Sequence, residues 1–278
     1  VTKDRIDRRF AALKAENRAG FVTYIMAGDP DAATTLSVLK GLPGAGADLI
    51  ELGFPFSDPM AEGPTIQRAA QRGLRSGMTL QGTLDLVAAF REGDQDTPVI
   101  LMGYLNPVLH RGFDSFAAAA NTAGVDGLII VDCPPEEADP LSDALEAEGI
   151  ALIRLAAPTT DDARLPMVIR RTSGFVYYVS VAGVTGVKSA DAADVAPAVE
   201  RLRKASGLPV AVGFGIRTPD QAAAVARIAD AAVVGSALVD EIESAAQLNE
   251  NVTEKVLLKA SELAKAVRSA RVGHEVRL

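Results

Sequence analysis

Short apolar runs alternate with longer amphipathic stretches along this chain, and the alternation restricts the fold more than any other feature. Strand-like runs fall at residues 21–27, 48–53, 99–104, 127–132, 151–156, 175–180, 210–214 and 231–234. They are nearly continuous in apolar residues, as expected for strands covered on both faces. Helical patterns follow at 32–40, 79–90, 113–123, 136–148, 161–170, 192–205, 219–228 and 241–246. Thr218-Pro-Asp-Gln221 reads as a helix start: Thr218 caps, Pro219 takes the first turn and Gln221 closes a capping box. Eight strand-then-helix units predict an α/β chain, a single-domain (β/α)8 TIM barrel over 1–278. The alternative is a doubly wound open sheet. It is disfavoured because the units are evenly spread, with no linker, and no G-x-G-x-x-G loop follows the first strand. Two extra helices frame the repeats. Residues 2–15, within an N-terminal segment 1–18, put Ile6, Phe10 and Leu13 on one stripe that suits a cover for the barrel bottom. Residues 256–267, within a C-terminal helix and tail at 248–278, repeat the habit with Val256, Leu257, Leu263 and Val267.

At 278 residues, 48% of them apolar, the chain can bury a barrel-sized core. A formal net charge of -8 without a long basic block argues against nucleic acid or anionic lipid as a partner. It leaves room for a phosphorylated small molecule, because backbone N–H groups hold phosphate without net positive charge. Cys133 is the single cysteine, so an intrachain disulfide or a thiolate metal cluster is excluded, and it reads as a small core or rim residue. The two histidines are far apart: His110 lies in a loop near a strand end and His274 in a polar tail. No metal or Walker motif is present. The N-terminus is charged and amphipathic, unlike a signal sequence, and no apolar run is long enough to cross a membrane. A cytoplasmic location is the default expectation.

Chemistry is indicated by Glu51, a carboxylate inside the otherwise apolar run Ala47-Asp-Leu-Ile-Glu-Leu-Gly53. Burying a carboxylate is costly unless something uses or satisfies it. The loop that follows is stiffened by Pro55, Pro59 and Pro64 and brings Glu62 back over the strand end. Two carboxylates there form a candidate acid/base pair; the alternative is a structural salt bridge plus a solvated Glu62. Glycine-rich turns follow the last strands: Gly213-Phe-Gly215 after the seventh, and Gly235-Ser236 after the eighth. In a barrel these turns are adjacent and their N–H groups can converge on a phosphate. Val184-Thr-Gly-Val187 after the sixth strand could supply a third edge. Tyr24, Phe54, Leu101, Tyr104, Ile153 and Tyr177 fall on strands or at their ends, where an apolar, aromatic mouth would suit a flat substrate, although ordinary barrel packing explains each of them alone.

Several of these segments together resemble the tryptophan synthase alpha subunit family. The matches are Gly28-Asp-Pro30, Glu51-Leu-Gly-Phe-Pro-Phe-Ser-Asp-Pro59, Gly63-Pro-Thr-Ile-Gln67, Gly103-Tyr-Leu-Asn-Pro107, Ala182-Gly-Val-Thr-Gly186, Gly213-Phe-Gly-Ile216 and Gly235-Ser-Ala237. They occur in the family order across essentially the whole chain. The resemblance implies retro-aldol cleavage of 1-C-(indol-3-yl)glycerol 3-phosphate to indole and D-glyceraldehyde 3-phosphate in tryptophan biosynthesis. It implies that the subunit needs no cofactor of its own and works in an α2β2 complex with a beta subunit that carries pyridoxal phosphate. By the same resemblance Glu51 is the general acid/base, and the second acid holds the indole N–H. Tyr24, Leu101, Tyr104, Ile153, Tyr177 and Thr185 are expected around the substrate, and Gly186, Gly215, Gly235 and Ser236 around its phosphate. One position departs from the family pattern: the second acid is usually aspartate in Ala-Asp-Gly-Pro, whereas here it is Glu62 in Ala61-Glu-Gly-Pro64. That leaves three readings: a tolerated variant, an impaired subunit, or transfer of the role to Asp58. Two other functions stay open on the residues alone. One is a weakly catalytic module that docks and activates a beta subunit. The other is a phosphate-binding isomerase or synthase on the same barrel, which the lack of a strand-embedded lysine weakens.

Overall fold

The computed structural model describes residues 3–180, 192–213 and 215–272. The chain runs α1 (Lys3–Ala15), β1 (Gly20–Met26), α2 (Ala32–Gly41), β2 (Leu49–Gly53), α3 (Pro64–Arg75), α4 (Leu80–Arg91), β3 (Val99–Gly103), α5 (Leu105–Arg111), α6 (Phe113–Ala123) and β4 (Gly127–Ile130). It continues through a short 3-10 turn (Pro135–Glu137) into α7 (Asp139–Ala147), β5 (Ala151–Leu152), β6 (Arg154–Ala156), α8 (Leu165–Ile169), β7 (Val176–Val179) and α9 (Ala192–Ser206). The last elements are β8 (Val210–Gly213), α10 (Pro219–Ile228), β9 (Ala231–Val234), α11 (Ser236–Gln247) and α12 (Val252–Ser269).

All strand pairings are parallel, in the order β5-β4-β3-β2-β1-β9-β8-β7-β6. The two ends of this order, β5 and β6, are halves of one strand path interrupted at Ile153. The sheet therefore closes on itself, and eight strand paths with helices outside them make a (β/α)8 barrel. Alternation along each strand separates two cores. Val22, Leu49, Ile100, Ile129, Ala151, Ile153, Phe175, Tyr177, Ala211, Ala231 and Val233 fill the interior. Ile25, Ile50, Leu52, Leu101 and Leu128 turn outward and pack with residues of the surrounding helices. Ile6, Phe10 and Leu13 of α1 join the interior cluster, with Phe10 tilted against Phe175 at 5.6 Å between ring centroids. The N-terminal helix thus covers the lower barrel opening, as its stripe predicted. The C-terminal helix α12 packs on α10, α11 and α2 in the outer ring.

Two helices are additional to the sequence expectation. α3 begins at Pro64, where proline is compatible with a first helical turn. α5 contains Pro107 within its first turn, where a missing N–H costs no helical hydrogen bond, so Asn-Pro does not force a loop. His110 accordingly lies on a helix and not in a loop. α11 starts earlier than its apolar pattern suggests, directly after Gly235, and α8 is shorter. The Thr218–Gln221 capping box forms as expected.

Candidate active site

Glu51 points into the barrel from the middle of β2, in register with Tyr24 on β1 and Ile100 on β3. It is fully buried, and neither carboxylate oxygen has a hydrogen-bond partner. Burial alone pushes its carboxyl up from 4.5 to about 8. Near neutral pH the group is therefore a protonated acid held in an apolar well, and it sits close enough to its charged state to work in both directions.

Two phenols flank it. Tyr177 on β7 is buried in the interior, and burial, then the Glu51 charge, raises its phenol well above the ordinary range. Tyr24 is buried too, and it is raised by burial, then by the negative charges of Glu62 and Glu51. Tyr24 thus lies within the field of both carboxylates. Glycines make room for these rings. A Cβ on Gly53 would stand 2.3 Å from the Tyr24 hydroxyl, and one on Gly213 2.1 Å from the Tyr177 hydroxyl. Ile153 also faces the interior.

Leu101 is a correction to the sequence expectation. It is fully buried, but in the outer layer with Leu52 and Ile25, because it pairs with Leu52 on the outward face of β3. Strand alternation gives the inward positions to Ile100 and Met102 instead, and Met102 packs against both the interior cluster and Tyr24. The apolar run Val-Ile-Leu-Met offered no polar alternation from which to read that register.

Glu62 hangs over the mouth on the loop between β2 and α3. The loop is anchored at several points: Gln67 donates to the Glu62 carbonyl at 2.9 Å, and the Ala61 N–H donates to the Tyr104 hydroxyl at 2.9 Å. The Tyr104 hydroxyl in turn donates to the Glu62 carboxylate. Phe56 stacks on Tyr104 at 5.0 Å between centroids. Burial raises the Glu62 carboxyl, and the Tyr104 hydrogen bond opposes the rise. Asp58 is exposed and accepts from its neighbour Ser57 at 2.5 Å, away from this network. A third carboxylate, Asp132 after β4, was not singled out by the sequence. It accepts the Leu105 N–H at 2.7 Å, and its charge acts on both Glu62 and Tyr104.

The phosphate candidates divide. Gly235 follows β9 and stands immediately before α11, whose first turn has no side-chain cap. Ser236 is the first residue of that helix, so its N-terminal N–H groups are directed out of the barrel end. Gly215 adopts a φ of +83°, open to glycine at no cost, and nothing approaches within 4 Å of where its Cβ would be. These turns follow β8 and β9, which are neighbours in the sheet. Thr185 and Gly186, with the rest of Ala182–Gly186, as well as Phe214 and His274, lie outside the described residues. Cys133 is buried, its thiol pushed up by burial. Among the described residues no cluster of His, Cys, Asp or Glu could hold a metal ion, and no helix is long and apolar enough to cross a membrane.

The chain that builds this mouth, with one partnerless buried acid, a second acid on the adjoining loop and an uncapped helix start two strands away, has close relatives. The family described as tryptophan synthase alpha chain matches residues 10–268. The tryptophan synthase alpha chain of Caulobacter vibrioides is 94% identical over 98% of this chain and 99% of that one. That of Phenylobacterium zucineum is 72% identical over 99% of both. The crystal structure of the tryptophan synthase alpha subunit from Legionella pneumophila superimposes with a TM-score of 0.88 at 41% identity, covering 95% of this chain and 98% of that one. By sequence along nearly its whole length, and by fold, the chain belongs to the tryptophan synthase alpha chain family.

Proposed function

We propose that the chain cleaves 1-C-(indol-3-yl)glycerol 3-phosphate into indole and D-glyceraldehyde 3-phosphate, with Glu51 and Glu62 as its acids. The observation that carries the assignment of residues is the buried, partnerless Glu51, raised to about 8 in the barrel mouth. The reaction needs a proton on indole C3, which turns the ring into an electrophilic indolenine. It then needs the proton removed from the hydroxyl on the side-chain carbon bonded to C3. As that O–H breaks, C=O forms, the carbon–carbon bond opens, and its electron pair returns to the ring as aromatic indole. A neutral Glu51 supplies the first proton, and the carboxylate it becomes takes the second, so the residue ends as it began. Glu62, held by Tyr104 and Gln67, accepts from the indole N–H and stabilises the positive ring while C3 carries its proton. Tyr24, Tyr177, Ile153 and Met102 give the ring a water-poor slot. The N–H groups after Gly215 and Gly235, together with Ser236, hold the phosphate, with Thr185 and Gly186 completing the site.

The extra methylene of Glu62 is taken up on this reading by the loop, whose anchors set where the carboxylate stands. The chain works without a cofactor and in the cytoplasm, partnered in an α2β2 assembly by a beta subunit bearing pyridoxal phosphate. Met60 and Leu109, exposed at 80% and 55% on the Glu62 loop and on α5, suit a docking partner at the mouth. Incubation with indole-glycerol phosphate should release indole, and adding the matched beta subunit should accelerate it by ordering that loop. Glu62→Ala should abolish most cleavage, whereas Asp58→Asn should spare it. Normal cleavage by E62A beside loss in D58N, both folded, would reverse the assignment of the second acid.

A further inference from the structure

Asp240 lies one turn into α11 and is engaged from two other parts of the mouth. Its Oδ1 accepts from the Thr65 hydroxyl at 2.9 Å, and its Oδ2 accepts from Arg217 Nη1 at 2.5 Å. Thr65 opens α3, immediately behind the loop that ends in Glu62. Arg217 follows Gly215 and Ile216 in the turn after β8. One carboxylate therefore joins the acid loop, the turn after β8 and the helix whose N-terminus follows Gly235. The bodies of α3 and α11 are clamped farther along as well, and Arg68 Nη2 also stands 3.9 Å from Asp240 Oδ1. Arg68 and Arg72 pair with Glu243 at 2.8 Å and 2.9 Å, and Arg72 also pairs with the buried Asp29 at the end of β1 at 2.7 Å. Those pairs lie farther along both helices and do not reach the turn after β8.

We propose that Asp240 is a positioning residue: through Thr65 and Arg217 it sets the Glu62 loop against the phosphate turn, so that both ends of one substrate are gripped in a fixed relation. The inference rests on the roles given above to Glu62 and to the Gly215 and Gly235 turns. A partly exposed ion pair contributes little to global stability, whereas a misplacement of order 1 Å at a reacting centre can cost about 10²-fold in rate. Losing Asp240 should therefore register in turnover, not in melting.

The test is steady-state cleavage with thermal melts for Asp240→Ala, Thr65→Val, Thr65→Ser and Arg217→Ala. D240A should lower kcat/KM by roughly tenfold or more, through both kcat and KM, with its melting temperature near wild type. T65V should reproduce the kcat loss and T65S, which keeps the hydroxyl, should recover it; R217A should act mainly on KM. Cleavage by D240A within about twofold of wild type, or equal impairment in T65S and T65V, overturns the proposal. Glu62→Gln assayed alongside separates it from the reading beneath it. Full cleavage by E62Q overturns the acid assignment and the inference with it, whereas an inactive E62Q beside a fully active D240A overturns the inference alone.

Discussion

Replacing Glu51 with glutamine should change how the stability of this protein depends on pH as well as stop its chemistry. Glu51 is fully buried without partners, and its carboxyl is raised from 4.5 to about 8 by burial alone. In the unfolded chain the group ionises near its ordinary value; in the folded barrel it keeps its proton until much higher pH. The folded state thus binds the extra proton between those two values, and stability falls as pH rises through that window. Below pH 4.5 the carboxyl is neutral in both states and its contribution is intact; above about 8 the loss is complete. At ~1.4 kcal/mol per pH unit, the ionised group costs the folded state about 5 kcal/mol at alkaline pH. Glutamine has the same shape and no titration, and its buried amide adds only a pH-independent term. The difference in stability between Glu51→Gln and wild type should therefore grow from about pH 5 to about pH 9, approaching that magnitude. For a chain of this size it should appear as a melting-temperature gap that widens by about 10 °C. Thermal melts across that range, with cleavage assays at each pH, provide the measurement. Wild-type kcat/KM should decline as Glu51 loses its proton above about 8, and the variant should be slower by at least about 10²-fold. Parallel stability profiles in the two proteins would refute the reasoning, because a carboxyl desolvated to this degree cannot leave the pH dependence unchanged.

Three further outcomes follow from the geometry. Tyr104→Phe removes the hydrogen bond that opposes the burial-driven rise of the Glu62 carboxyl, so the acidic limb of kcat/KM should move to higher pH; an unmoved limb would mean that Glu62 does not act as a carboxylate. Gly53→Ala places a Cβ 2.3 Å from the Tyr24 hydroxyl, which should cost about 1–3 kcal/mol in urea unfolding, and Tyr24→Phe, by removing the nearest atom, should recover part of it. Gly235→Asp sets a like charge beside the α11 N-terminus and should strongly weaken binding of glycerol 3-phosphate by calorimetry; unchanged affinity with an intact fold would place the phosphate elsewhere.

The barrel was legible because nearly all its strands are continuous apolar runs separated by helices with their own stripes, and because α1 carries Ile6, Phe10 and Leu13 on one face. The same continuity hid which residues face inward. Leu101 and Met102 are equally apolar, and only the pairing of Leu101 with Leu52 assigns it to the outer layer. α3 and α5 were missed because prolines near their starts resemble loop punctuation, although a proline in a first turn is compatible with helix. Glu51 stood out as a charge in an apolar strand. Asp132 did not, since an aspartate after a strand is common and its importance comes from proximity to Glu62 across the fold. Asp240 was invisible for the same reason: it and its partners Thr65 and Arg217 come from three separate parts of the chain.

The barrel pairs its other buried aspartates with arginines and leaves Glu51 without a partner, and the contrast separates structure from chemistry. At the lower end, aspartates just before strands act as pegs between neighbours. Asp48 accepts the Phe21 N–H at 2.9 Å and both arms of Arg18 at 2.8 Å. Asp126, fully buried, accepts the Val99 N–H at 2.8 Å and is paired with Arg91 at 2.6 Å and Arg5 at 2.9 Å. Asp230, half-buried, repeats the device, taking the Val210 N–H at 2.8 Å and Arg203 at 3.1 Å. Each peg ties two adjacent strands to an arginine, and the buried ones, Asp48 and Asp126, have the partners a buried ion needs if it is to stabilise the fold. Glu51 is as deeply buried as Asp126 and receives none of this: no arginine, no backbone N–H and no hydroxyl. A fold able to satisfy three aspartates with arginines and strand ends leaves one glutamate at the mouth with its proton and no partner. Arginine or N–H partners would oppose the rise that burial imposes and favour its anion. Without them burial acts unopposed, and the missing partner is what keeps it an acid near neutral pH.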